Sequence, residues 1–194
     1  MAKKSHRNTR GRIVSAAWTL FYAQGYEATT VEEIIELSGT SKGSFYHYFD
    51  GKDALLSTLS SLFDEKYEEL TGLLTPEMTA MEQLLFLNRE LFHMIEDSIS
   101  LDLLARLYST QLTTNGEKHL LDHNRIYYKL LRKIIAKGQS EGQLSSRSNV
   151  NEMVKLYALC ERALLYDWCL CAGEYALTEY SAKVLPGFLS SFLP

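Results

Sequence analysis

The stretch from Thr29 to Lys52, TTVEEIIELSGTSKGSFYHYFDGK, constrains this chain more than any other. Thr30 is a helix N-cap by type: its hydroxyl can accept from the free backbone N–H groups of a first turn. Glu33 stands three residues later and completes a capping box. Val31, Ile34, Ile35 and Leu37 then make an apolar face, with Glu32, Glu33 and Glu36 on the wet side. Ser38-Gly39-Thr40 breaks this short helix, since Gly39 can take the left-handed conformation that ends a helix tightly. Ser41 caps a second helix over about 42–48, with Phe45 and Phe49 four apart on its buried side. Two short helices joined by a tight glycine turn describe a helix-turn-helix.

The second helix carries an unusual exposed face. Lys42, Gly43, Ser44, Tyr46, His47 and Tyr48 are donors, small residues and amphipathic rings, and no acidic residue occurs from Ser38 through Phe49. A helix start carrying lysine, serine and bare glycine backbone can approach an anion closely. Phosphate is the obvious anion, and the major groove of DNA admits one α-helix. Lys52 opens the next helix, the wrong end for a cation unless something negative lies outside; a solvated lysine after the Asp50-Gly51 turn is the plainer alternative.

The run TTVEEIIELSGTSKGSFYHYFDGKDALL resembles the DNA-binding signature of the TetR/AcrR family of bacterial transcriptional regulators, over roughly residues 10–56. Beyond it the chain is similar to the family only in length and helical character. The resemblance implies an all-α homodimer with an N-terminal DNA-reading domain and a C-terminal ligand-sensing domain. Matched residue by residue, it makes Thr30, Ser41, Lys42, Gly43, Ser44, Tyr46, His47 and Lys52 the DNA-contact candidates. Thr30, Tyr46 and Lys52 would hold phosphates; Lys42, Ser44 and His47 would face base edges. Phosphate contacts position such a protein and base contacts specify the sequence.

Charge distribution agrees. The net charge of −4 argues against wholesale nucleic-acid binding. Residues 1–60 nevertheless hold seven Lys/Arg against six Asp/Glu, and every charge before Ile13 is positive: Lys3, Lys4, Arg7, Arg10 and Arg12. A DNA-facing end and an acidic remainder follow, although a basic leader can also be mere solubilising tail. No apolar run approaches the roughly 20 residues that span a bilayer, and the basic start is not followed by a signal-peptide core, so a cytoplasmic location without membrane partners is expected. Cys160, Cys169 and Cys171 are too few and too clustered for a disulfide framework.

The rest reads as helix throughout, with no strand-like alternation. The expected fold is all-α with about nine helices: a three-helix helix-turn-helix domain over 1–53, then a ligand-binding and dimerisation domain over 54–194. The expected helices cover about 9–24, 31–38, 42–48, 52–74 (a connector between domains), 79–97, 100–113, 117–138, 149–171 and 178–193, with Pro186 kinking or interrupting the last. The helix over 149–171 is apolar around nearly its whole circumference, which calls for burial on several sides. Paired with the helix over 178–193 it suits a homodimer seam, two helices from each protomer making a four-helix bundle; a large monomeric core is the alternative.

Phe92, His93, Arg106, Tyr108, Tyr127, Glu161 and Tyr166 are the candidate ligand-binding residues, since aromatics with polar tips and buried charges suit a pocket for an amphipathic small molecule. Ordinary core packing accounts for each ring taken singly. His119 and His123 have zinc-compatible spacing but no third ligand, and no metal or cofactor is expected. No GxSxG, P-loop or GxGxxG motif occurs, so an enzyme is the weakest reading. The expected function is a sequence-specific transcriptional regulator, a repressor released from a near-palindromic DNA operator by a small-molecule effector. An activator or an architectural DNA-binding protein is the alternative.

Overall fold

The computed structural model describes the backbone of residues 2–115 and 118–194, and side chains from Thr9 onward outside Gly116 and Glu117. Among the described residues the chain is all-helical. It forms α1 (Ala2–Gln24), α2 (Val31–Ser38), α3 (Lys42–Tyr48), α4 (Lys52–Leu56), α5 (Leu59–Thr71), α6 (Ala80–Ser98), α7 (Leu101–Thr113), α8 (Ile126–Ser140), α9 (Val150–Leu170) and α10 (Leu177–Leu189). Short 3-10 turns follow at His119–Leu121 and Ser190–Phe192.

Two sets of apolar side chains organise these elements. Ile13, Ala17 and Phe21 of α1, Ile34 of α2, Phe45 and Phe49 of α3, and Leu55 and Leu56 of α4 are buried at the N-terminal end. Farther along, Phe63, Tyr67 and Leu70 of α5 are buried where α5 packs on α6 and α8, the α6 stripe of Leu84, Leu87, Leu91 and Ile95 lies where α6 meets α5, α8 and α10, and α9 packs on α8 and α10. Residues three and four apart on each helix face the same way, so every stripe buries against its neighbours.

The expected connector over 52–74 is divided. Ser57 Oγ donates to the Ala54 carbonyl (2.7 Å), Thr58 Oγ1 to Leu55 (2.6 Å) and Ser60 Oγ to Ser57 (2.6 Å). These hydroxyls compete for carbonyls that a regular helix would use, and the chain turns between α4 and α5. The Trp18 indole N–H donates to Thr58 Oγ1 at 2.9 Å, fastening that turn to α1.

Two other expected helices differ. The one over 117–138 begins only at Ile126, because Asp122 turns the chain: its Oδ1 accepts from the Asn124 N–H at 2.8 Å. Gly116 of the expected Asn115-Gly116 turn lies outside the described residues. The last helix is not interrupted at Pro186, which lies inside it, and ends at Leu189. The side chains of Lys3, Lys4 and Arg7 lie outside the described residues, so the structure carries nothing on the basic leader beyond its helical backbone.

One side of α9 is buried and the other is not. Leu159, Tyr166 and Leu170 are about half exposed or more, at 52%, 47% and 66%. The apolar circumference read from the sequence is thus an inward face and an outward stripe.

Candidate nucleic-acid interface

Thr30 caps α2 as its sequence suggests. Its Oγ1 accepts from the Glu33 N–H at 3.2 Å, and Glu33 Oε2 accepts from the Thr30 N–H at 2.7 Å. These hydrogen bonds, the Thr30 backbone first, hold the Glu33 carboxyl below its ordinary pKa. Gly39 ends the helix at φ 59°, a left-handed conformation that glycine adopts at little cost. Arg12 of α1 closes over this turn, with Nε donating to the Ser38 carbonyl (2.9 Å) and Nη2 to the Gly39 carbonyl (2.6 Å).

Ser41 caps α3 by accepting from the Ser44 N–H at 3.1 Å, and the two hydroxyls lie 2.9 Å apart. Phe45 is wholly buried and points α3 into the core. Lys42, Gly43, Tyr46 and His47 are exposed on the other side. Lys42 Nζ lies 3.5 Å from a Glu32 carboxylate oxygen, both side chains in solvent, a pair of little strength. A Cβ placed on Gly43 would find only Ser41 Oγ, at 4.0 Å. Nothing inside the chain asks for glycine there.

Lys52 is placed differently from a bare phosphate clamp. Its Nζ donates to the carbonyls of Tyr26 (2.7 Å) and Thr29 (2.9 Å) and sits 4.2 Å from the Tyr26 ring centroid. It organises the loop that delivers Thr30 to α2.

The candidate ligand residues separate into groups. Tyr108, Tyr127 and Glu161 share a central cavity of about 50 Å³, with Tyr67, Arg125 and Arg162 also on its wall. The buried Glu161 carboxylate accepts from Tyr127 Oη (2.6 Å) and Asn88 Nδ2 (2.8 Å). Burial pushes its pKa up, against those two hydrogen bonds. Phe92 is core packing on α6. Three candidates lie elsewhere: His93 is exposed beside Asp97 on α6, Arg106 reaches Glu27, and Tyr166 is on the outward stripe of α9. Their helical phase turns them from the cavity. Sequence reading missed Tyr67, Arg125 and Asn88, whose types and spacing carry no signal of their placement. His119 and His123 gain no third partner: no metal-binding cluster of three occurs among the described residues.

A capped helix, a left-handed glycine turn and a second helix with an acid-free outer face together make a helix-turn-helix. Residues 13–59 match the family model described as bacterial regulatory proteins, tetR family. It is 37% identical over 62 residues to the regulator QacR of Staphylococcus aureus, covering 32% of this chain and 33% of that one. Over nearly the full length, 96% of this chain and 93% of the relative, it is 27% identical to the repressor KstR2 of Rhodococcus jostii. The crystal structure of FadR from Thermus thermophilus, a TetR-family repressor in complex with lauroyl-CoA, superposes with a TM-score of 0.77 at 26% identity, covering 95% of each chain. Relatives of the QacR kind are matched over only about a third of their own length.

Proposed function

We propose that this protein is a transcriptional regulator of the repressing type, which grips a near-palindromic operator as a homodimer and is released by a small-molecule effector. The observation that carries this reading is Gly43. Glycine inside a helix costs about 0.5–1 kcal/mol relative to alanine, and no neighbour within the chain requires it. A site kept bare on an exposed, acid-free helix start fits close approach by an external phosphate backbone. In this reading Thr30, Ser41, Tyr46 and Lys52 face phosphates while Lys42, Ser44 and His47 face base edges. Lys52 does so while holding the 26–29 loop.

The domain division goes with it: 1–53 reads DNA, and 54–194 holds the effector and the partner protomer. The outward stripe of Leu159, Tyr166 and Leu170, with Tyr180 of α10, is exposed apolar surface of the kind that marks an interface. A four-helix bundle of α9 and α10 with their symmetry mates would cover it and set two recognition helices about 34–36 Å apart. Such a regulator works in the bacterial cytoplasm; no described helix is long and apolar enough to cross a membrane.

The effector site in this reading is the central cavity. Arg125 on its wall bonds to Asp64 (3.0 Å) and to the Ser60 carbonyl (3.0 Å) on α5. An occupant that displaces Arg125 shifts α5, and through α4 the spacing of the two α3 helices. Effector and operator then oppose each other reciprocally, because the coupling free energy is shared. The likeness to the lauroyl-CoA-bound FadR and the two cavity arginines favour an effector with an anionic head and an apolar tail.

The test begins with selection of bound DNA from a random pool. Gly43→Ala should stabilise the fold by about 0.5–1 kcal/mol yet weaken binding to the selected site. Lys42→Ala with Tyr46→Ala should weaken it at least tenfold. Isotherms superimposable on the wild type's for both variants would remove the assignment.

A further inference from the structure

The polar groups on the wall of the central cavity are unevenly engaged. Tyr67 of α5 is 2% exposed and lines that cavity with Tyr108 of α7. Neither hydroxyl makes a hydrogen bond among the described residues. Burial, the main cause for both, raises their pKa, so each keeps its proton at neutral pH. No sealed side-chain polar atom is left without a partner among the described residues, so the Tyr67 hydroxyl opens onto the empty space of the cavity. A buried donor of that kind wants an acceptor from outside the chain.

The two guanidinium groups point the same way. The Arg125 side chain is 10% exposed. Its Nε and Nη2 reach Asp64 and the Ser60 carbonyl, while its Nη1 makes no such bond. Arg162 of α9 also lines the cavity. Its Nη1 donates to Tyr128 Oη at 3.2 Å, and it forms no ion pair among the described residues. Glu161 acts on it only through space, because the Glu161 oxygens are turned to Asn88 and Tyr127. The uncommitted polar groups on this wall are thus chiefly donors, and one cation lacks a partner. Phe63, Leu91, Ile95 and Leu165 keep the rest apolar.

The space itself is about 50 Å³, room for about three waters or one carboxylate group. A CoA thioester presents a neutral carbonyl at its acyl end and several phosphate charges beyond it, whereas the wall offers a single unpaired guanidinium. We infer that the central cavity takes a free apolar monocarboxylate in preference to its CoA thioester, with the carboxylate on Arg162, the free Arg125 Nη1 and the Tyr67 and Tyr108 hydroxyls. This names the chemical class of the occupant and rests on the reading of the cavity as the effector site. The tail lies among the four apolar side chains, which part to admit it.

The experiment is isothermal titration of the full chain at pH 7 with decanoate, decanoyl-CoA and decan-1-ol, followed by binding to the selected operator with each ligand present. The acid is ionised at that pH, as a glutamate is. Decanoate should bind at least tenfold tighter than decan-1-ol, and tighter than decanoyl-CoA. Tyr67→Phe with Tyr108→Phe should weaken decanoate at least fivefold; the fold should hold, because the deleted hydroxyls have no partner in the chain. Arg162→Gln should bring decanoate to within about threefold of decan-1-ol. Tighter binding of decanoyl-CoA, equal binding of decan-1-ol, undiminished binding by the double tyrosine variant, or no binding of decanoate by the wild type overturns the inference. The effector reading fails separately. Decanoate that binds as stated yet leaves operator affinity unchanged removes that reading and keeps the carboxylate site, whereas operator release by decanoyl-CoA alone keeps the reading and removes the free acid.

Discussion

Arg106 of α7 and Glu27 of the α1–α2 loop meet at 2.6 Å, tying the C-terminal bundle to the segment that leads into α2. The same guanidinium is held by Asp102 at 2.9 Å and lies 4.8 Å from the Tyr26 ring centroid. Lys52 approaches that ring as well, and the Tyr26 hydroxyl donates to Asp53. One tyrosine thus gathers contacts from α4, α7 and its own loop.

Arg106→Ala should therefore act locally. Glu27 is largely exposed and Arg106 is half-buried, and surface pairs contribute about 0.2–1 kcal/mol, so global stability should barely move. Amide hydrogen exchange at residues 26–30 should speed several-fold, because the loop loses its tether to α7. Unchanged exchange there would mean that Lys52 alone holds the loop.

Gly138 sets how closely α8 approaches α6. A Cβ at that position would lie 2.5 Å from Ala80 Cβ and 2.9 Å from Leu144 Cγ. Gly138→Ala gains helix propensity but overpacks this crossing, and should destabilise by about 1–3 kcal/mol. For a chain of this size each kcal/mol lowers the melting temperature by roughly 2–4 °C. A raised melting temperature would show that α6 and α8 part easily.

Glu161 ties stability to pH. Burial raises its folded pKa above the unfolded value, so the native state holds the proton more firmly. Its contribution is full below the unfolded pKa and is lost as pH rises through the folded one. Glu161→Gln cannot ionise, so its stability relative to wild type should improve between pH 4 and pH 8. Denaturant unfolding across that range checks it, and a constant gap would mean that Glu161 stays charged throughout.

Local signals in the sequence were legible because they act over three or four residues. The capping box Thr30/Glu33 forms, and the left-handed Gly39 ends α2 where the sequence asks for it. The break between α4 and α5 was not legible: the stripe of Leu55, Leu56, Leu59 and Phe63 carries helical periodicity across it, and three hydroxyls reclaim carbonyls that periodicity does not see. Lys52 reads as a phosphate ligand from its charge, while its carbonyl partners come from a loop more than 20 residues away. At the central cavity, Glu161 stands out as a charge in an apolar helix. Asn88 and Arg125, which decide its setting, have ordinary sequence surroundings.

The clasp of Arg12 on the α2–α3 turn has a consequence for ionic strength. Arg12 and Lys52 already donate hydrogen bonds to backbone carbonyls in the free protein. Each keeps its charge, but with donors turned onto the chain it is less free to close on a phosphate than a cation waiting in solvent. The logarithmic salt slope of operator binding, about 0.9 per phosphate neutralised, should then fall short of what the lysines and arginines of the first 60 residues suggest when simply counted.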